Sequence, residues 1–189
     1  KVAYLCEKLI NMGCYEVSLG DTIGSGNPLK TKQMIESCKE AVGIEKLAVH
    51  FHDTYGQALS NILASLELGI KVVDTSVGGL GGCPYAPGAR GNVATEDVLF
   101  MLNGMGIKTG VDLNKVCDAS RFVFEKLGQK PFSRVYNALE AKKHKNIGKI
   151  YTKNNKEHIF NFFYKNSKRF KTWHGRLYKH IYISRLTRS

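Results

Sequence analysis

Three short apolar, β-prone runs recur along the chain: YEVSLG at 15–20, KLAVHF at 46–51 and KVVDTSV at 71–77. Their starts lie 31 and 25 residues apart, the length of one strand-helix unit. Between them, LKTKQMIESCKEAV (29–42) and QALSNILASLELGI (57–70) carry apolar residues at helical spacing. The strand runs are nearly continuous in apolar residues, as in a parallel sheet covered by helices on both faces. The pattern predicts an α/β fold. Two further helical patterns follow, ATEDVLFMLNGM (94–105) and DLNKVCDASRFVFEKLG (112–128). Thr95, Glu96 and Asp97 suit the positive N-terminal end of the first.

Polar residues gather where the predicted strands end: Asp21 and Thr22 after the first, His50, His52 and Asp53 at the second, and Asp74, Thr75 and Ser76 at the third. In parallel sheets and (β/α) barrels that edge is where ligands bind.

Side chains alternate along a strand, so His50 and His52 share a face and both rings can reach one cation. Two ordinary surface or core histidines are the alternative. Asp53 either orients a histidine or caps the following helix. Zinc bound by nitrogen alone would want a third histidine or a cysteine, whereas two histidines with an oxygen donor suit octahedral Mg2+ or Mn2+. Asn92 can supply that oxygen, or be a turn residue. It closes GGLGGCPYAPGARGN (78–92), which is too rich in glycine and proline for helix or strand and reads as a mobile functional loop. Cys83 lies in this loop, where burial is not expected. Its thiol can act as nucleophile or proton donor, or be incidental, as Cys6, Cys38 and Cys117 are on their helices. Asp21 can hold substrate or relay protons, or form an Asx turn leading into TIGSGNP.

The net charge of +12 would suggest a nucleic-acid partner if it were spread along the chain. Residues 1–139 hold 14 basic and 14 acidic residues, and residues 140–189 hold 14 and 2, so the excess belongs to the C-terminal segment. That segment is rich in Lys, Asn, Tyr and Phe without a sustained period, which places a boundary near residue 140. It reads as a disordered tail, either an arm for nucleic acid or acidic membrane, or sequence foreign to the rest; the second reading is preferred. Five cysteines without a paired metal spacing argue against a disulfide framework. No stretch approaches the roughly 20 apolar residues of a membrane span.

Together SLGDTIG, VHFHDTYGQAL, VVDTSVGGLGGCPYAPGARGN and ATEDVLFMLNGMGI resemble the 3-hydroxy-3-methylglutaryl-CoA lyases. These are metal-dependent (β/α)8 TIM-barrel enzymes, and isopropylmalate and homocitrate synthases belong to the wider family. The HxH strand is shared across that family, while the loop GGLGGCPYAPG is close to a lyase signature.

The resemblance covers residues 1–139 and implies about the last three strand-helix units of the barrel plus C-terminal helices. It implies His50, His52 and Asn92 as ligands of Mg2+ or Mn2+. Cys83 is implied as the loop acid/base, with His50 and Asp21 also catalytic. Ser18, Asp21 and Thr22 are implied at the substrate, and Glu96 as a supporting carboxylate. The implied reaction is cleavage of an acyl-CoA, 3-hydroxy-3-methylglutaryl-CoA, to acetyl-CoA and acetoacetate, as in leucine catabolism and ketone body formation. A homodimer is implied for the full-length enzyme, in the mitochondrial matrix of a eukaryote or the cytoplasm of a bacterium, with no membrane or nucleic-acid partner. A condensing synthase, or a non-catalytic barrel remnant with a nucleic-acid-binding tail, are the alternatives. Two positions depart from the lyase pattern: Gly78 where Ala is usual, and Arg90 where a small residue is usual. A further metal-binding aspartate belongs to the family's first strand, which has no counterpart here, so the isolated chain is expected to be an inactive fragment.

Overall fold

The computed structural model describes residues 1–83, 85, 91–151 and 185–187. Strands β1 (Val17–Asp21), β2 (Leu47–Phe51) and β3 (Val72–Asp74) form a parallel sheet in sequence order. The intervening helices are α2 (Pro28–Val42) and α3 (Ala58–Glu67). Helix α1 (Val2–Asn11) precedes β1, and α4 (Thr95–Gly104) and α5 (Leu113–Leu127) follow β3. The α/β pattern expected from the 25–31-residue interval is therefore present, with α1 added before it.

Sheet register decides which side chains meet. Gly20, His50 and Asp74 are partners across the three strands, while Leu19 pairs with Val49 and Val49 with Val73. The second set faces the helices and is buried, together with Leu47 and Phe51. It packs with Ile35 of α2, Ile62 and Leu66 of α3, and Val98, Leu99 and Leu102 of α4. Burial of each such side chain contributes about 1.5–3 kcal/mol, so this layer holds the sheet and leaves the opposite face free for polar residues. Local signals fix the helix ends. Asn27 accepts the Lys30 N–H ahead of Pro28, and Asp112 accepts the N–H groups of Asn114 and Lys115.

The chain divides into two compact units, one made of residues 1–136 with the C-terminal strand and the other beginning at Asn137. Helix α6 (Arg134–Tyr151) runs through the composition change at residue 140, where no helix was expected, and the basic stretch 152–184 lies outside the described residues. Strand β4 (Arg185–Thr187) pairs antiparallel with β3, an addition to the three expected strands. No helix among the described residues is long and apolar enough to cross a membrane.

Candidate active site at the strand ends

His50 and His52 lie on the face of the sheet turned away from the core helices. Their Nε2 atoms are 3.4 Å apart. Two ligands around one ion with bonds of about 2.1 Å are separated by about 3.0 Å in an octahedron and about 3.4 Å in a tetrahedron, so this pair converges as chelating nitrogens do. His52 is buried, and its Nδ1 has no hydrogen-bond partner. Burial lowers the pKa of His50, neighbouring His52 lowers it further, and Asp74 opposes both. A neutral ring is the form that can ligate a metal.

Asn92 joins the pair through backbone geometry. It forms an isolated antiparallel bridge with His52, flanked by Asp53 N–H to Gly91 carbonyl at 2.7 Å and Val93 N–H to Phe51 carbonyl at 3.4 Å. In this non-hydrogen-bonded type of pair the two side chains emerge on one face from Cα atoms about 4.5 Å apart. The Asn92 amide nitrogen donates to the Leu80 carbonyl at 3.0 Å, which leaves Oδ1 as the atom for a ligand. Gly91 makes this approach possible. Its φ is +80°, and a Cβ there would stand 3.0 Å from the Gly82 backbone. The backbone bridge thus sets Asn92 beside His52, next to the converging Nε2 atoms of the pair. Among the described residues no third histidine, cysteine or carboxylate completes a set with them.

Cys83 corrects one expectation. It is buried, 7 % exposed, and its thiol donates to the Thr22 carbonyl at 2.9 Å. The turn at Val77–Gly79 and the anchoring of Asn92 to Leu80 fold the first half of the loop back onto the end of β1. Thr22 and Cys83 are therefore neighbours. Pro84 and residues 86–90, Arg90 among them, lie outside the described residues.

Asp21 is not brought to the histidines. It pairs with Phe51 on the other face of the sheet, and its Oδ2 accepts the Gly26 N–H at 2.8 Å, so it serves the turn that was its alternative reading. Asp53 likewise accepts the Ala58 N–H at 3.0 Å and caps α3. Ser18 does reach the site face, where its hydroxyl donates to Asp74 Oδ2 at 2.8 Å.

Glu96 is fully buried beneath the loop. Both its oxygens accept the Gly78 N–H, at 3.1 and 2.9 Å, and the Ser120 hydroxyl also donates to it. Burial raises its pKa against the opposing hydrogen bonds. Gly78 has φ +62°, and a Cβ there would run into the Phe124 ring, which accounts for glycine in place of alanine. Thr95 is no helix cap. Its hydroxyl pairs with that of Thr75 at 2.8 Å, while Asp97 turns to α6, accepting Ser133 Oγ–H at 2.6 Å and Val135 N–H at 2.9 Å.

Cys6 and Cys38, read as incidental, are buried with sulfurs 3.8 Å apart, and burial followed by Cys6 pushes the Cys38 thiol up to about 12. A cavity of about 410 Å³ is lined in part by Asp53, Tyr55, Asn92, Phe132 and Arg134. Asp74, read from the sequence as one of the polar strand-end residues, is given no role by patterning alone. Its alignment with His50 depends on sheet register.

Comparison with known proteins bears on the fold and the family. The HMGL-like family profile matches residues 1–123. The mitochondrial hydroxymethylglutaryl-CoA lyase of Arabidopsis thaliana is 56% identical over 142 residues, 75% of this chain and 30% of that protein. The crystal structure of hydroxymethylglutaryl-CoA lyase from Pseudomonas aeruginosa superposes with TM-score 0.73 at 57% identity, covering 75% of this chain and 47% of that one. An Acinetobacter baumannii HMG-CoA lyase in complex with coenzyme A and 3-methylmalate gives TM-score 0.68 at 39% identity over 72% of this chain and 45% of that one. The chain spans less than half the length of each of these relatives. Its parallel strands and helices are a part of the TIM barrel, and the chain belongs to the HMGL-like family.

Proposed function

We propose that the chain is the metal- and thiol-bearing part of a carbon-carbon lyase that cleaves 3-hydroxy-3-methylglutaryl-CoA to acetyl-CoA and acetoacetate. The observation that carries this reading is the 3.4 Å approach of His50 Nε2 and His52 Nε2, with Asn92 bridged to His52 through the backbone, beside a loop that brings Cys83 to the end of β1. The names of the relatives favour a lyase over a condensing synthase.

Mg2+ or Mn2+ held by His50, His52 and Asn92 would polarise the substrate's hydroxyl and carbonyl oxygens. The tertiary hydroxyl, made more acidic by such an ion, gives its proton to a base other than His50, whose Nε2 lone pair is committed to the ion and whose Nδ1 carries the proton that faces Asp74. The carbon-carbon bond then breaks, its electron pair leaving with the thioester fragment as the enolate of acetyl-CoA while the hydroxyl carbon becomes the ketone of acetoacetate. Cys83 gives its proton to the enolate, and its burial keeps water from that step. Ser18 and Thr22 stand at the substrate's side of the sheet, and the cavity beside Asn92 and Arg134 holds part of the acyl-CoA.

The full enzyme is a homodimer, in the mitochondrial matrix of a eukaryote or the cytoplasm of a bacterium. By itself the 189-residue chain is inactive, because the histidine pair still needs an acidic ligand. The test is a hybrid in which residues 1–139 replace the matching segment of the Pseudomonas aeruginosa enzyme. Acetoacetate release from 3-hydroxy-3-methylglutaryl-CoA is expected, and a folded hybrid without it would refute the proposal.

A further inference from the structure

We infer that Asp74, clamped by Ser18, is a positioning residue that holds His50 as its Nδ1–H tautomer and so aims the Nε2 lone pair of His50 at the point His52 also faces. Asp74 and His50 are register partners on adjacent parallel strands, and their side chains share the site face. The Ser18 hydroxyl holds Asp74 Oδ2 at 2.8 Å, and that same oxygen is 3.9 Å from His50 Nδ1. This is too long for a hydrogen bond but short enough for the carboxylate to favour a proton on the nitrogen it faces.

A second, independent observation points the same way. The Nδ1 of His52 is buried without a partner, so a proton placed there would be left unsatisfied. The proton of neutral His52 therefore belongs on Nε2, where it meets His50 Nε2 at 3.4 Å. His50 can accept it only if its own proton sits on Nδ1, toward Asp74. Two contacts at opposite sides of one ring thus select the same tautomer. A carboxylate behind a ligating histidine fixes ring orientation and raises its basicity, and losing such a partner typically costs about 10–100-fold in metal affinity.

The tautomer stands apart from the metal reading in Proposed function, and only its consequence for affinity rests on that reading. The test is long-range 1H–15N correlation of the imidazoles in the 15N-labelled, metal-free 189-residue chain, at a pH where His50 is neutral. The wild type is expected to show His50 protonated at Nδ1. Asp74→Asn should move the proton wholly or partly to Nε2, Asp74→Glu should restore part of the original pattern, and Ser18→Ala should give an intermediate shift. A wild-type His50 protonated at Nε2 overturns the inference even if no variant folds, as does an unchanged Nδ1–H signal in Asp74→Asn. Mn2+ titration of the same samples separates the two readings. A tautomer shift with about 10–100-fold weaker Mn2+ binding supports both, and a tautomer shift with unchanged binding supports the positioning role while counting against the metal site.

Discussion

The Nε2 atoms of His50 and His52 face each other at 3.4 Å, although the two residues are separated by Phe51, which points into the core. Strand alternation alone gives this pairing, and the antiparallel bridge sets Asn92 beside His52, where the proposed metal site would take its oxygen donor. Replacing either histidine by alanine removes a direct ligand and should weaken Mn2+ binding by about 100-fold or more, beyond the about 10–100-fold typical of an outer partner. Titration followed by the electron paramagnetic resonance of free Mn2+ measures this, and an unchanged affinity in both variants would remove the site.

Cys83 is held by a single hydrogen bond to the Thr22 carbonyl, which a serine can also make. Cys83→Ser in the hybrid enzyme should therefore keep the loop in place at a cost of about 1 kcal/mol, the centre of the range for point substitutions. The loss of a positioned acid should lower turnover by about 10²–10⁴-fold. Steady-state acetoacetate release checks it, and turnover at the parent rate would assign the proton to another group.

Gly78 stands where a side chain would meet both a left-handed backbone and the Phe124 ring. Gly78→Ala should cost about 1–2 kcal/mol for the backbone and about 1–3 kcal/mol for overpacking. Phe124→Leu combined with Gly78→Ala should recover the packing part alone. Urea unfolding of Gly78→Ala, Phe124→Leu and the double variant tests this; additive losses in the double variant would show that Phe124 does not limit the space.

Glu96 supplies a pH signature. Because burial raises its pKa above that of the unfolded chain, near 4.3, the native state binds the proton more tightly across the interval between the two values. Stability from this group is therefore present at low pH and lost as pH rises through the folded pKa. Relative to Glu96→Gln, the parent should gain melting temperature on going from pH 7 to pH 5. A difference independent of pH would mean that Glu96 is ionised throughout.

Much of this was legible in the residues themselves. The three strand runs and the helices between them follow from period and spacing, and the HxH pair follows from alternation, because these depend on local geometry. Residues whose roles depend on register or on distant contacts could not be assigned in this way. Asp74 meets His50 only through strand pairing, and Asp21 falls on the core side with Phe51. Cys83 is buried because a loop that looks open from its glycines is pulled in by Asn92 and Glu96. Helix α6 went unseen because basic side chains mask its period, and its start is capped by Asp97, some 37 residues earlier in the chain.

The most direct measurement of the central claim uses the hybrid stripped of metal and titrated with Mn2+, with bound metal and acetoacetate release read on the same samples. Activity should be absent without metal, return in proportion to bound Mn2+, and show the electron spin echo modulation of two imidazole nitrogens that His50→Ala and His52→Ala each reduce to one. Full turnover by the metal-free hybrid, or a Mn2+ spectrum unchanged by either substitution, would contradict it.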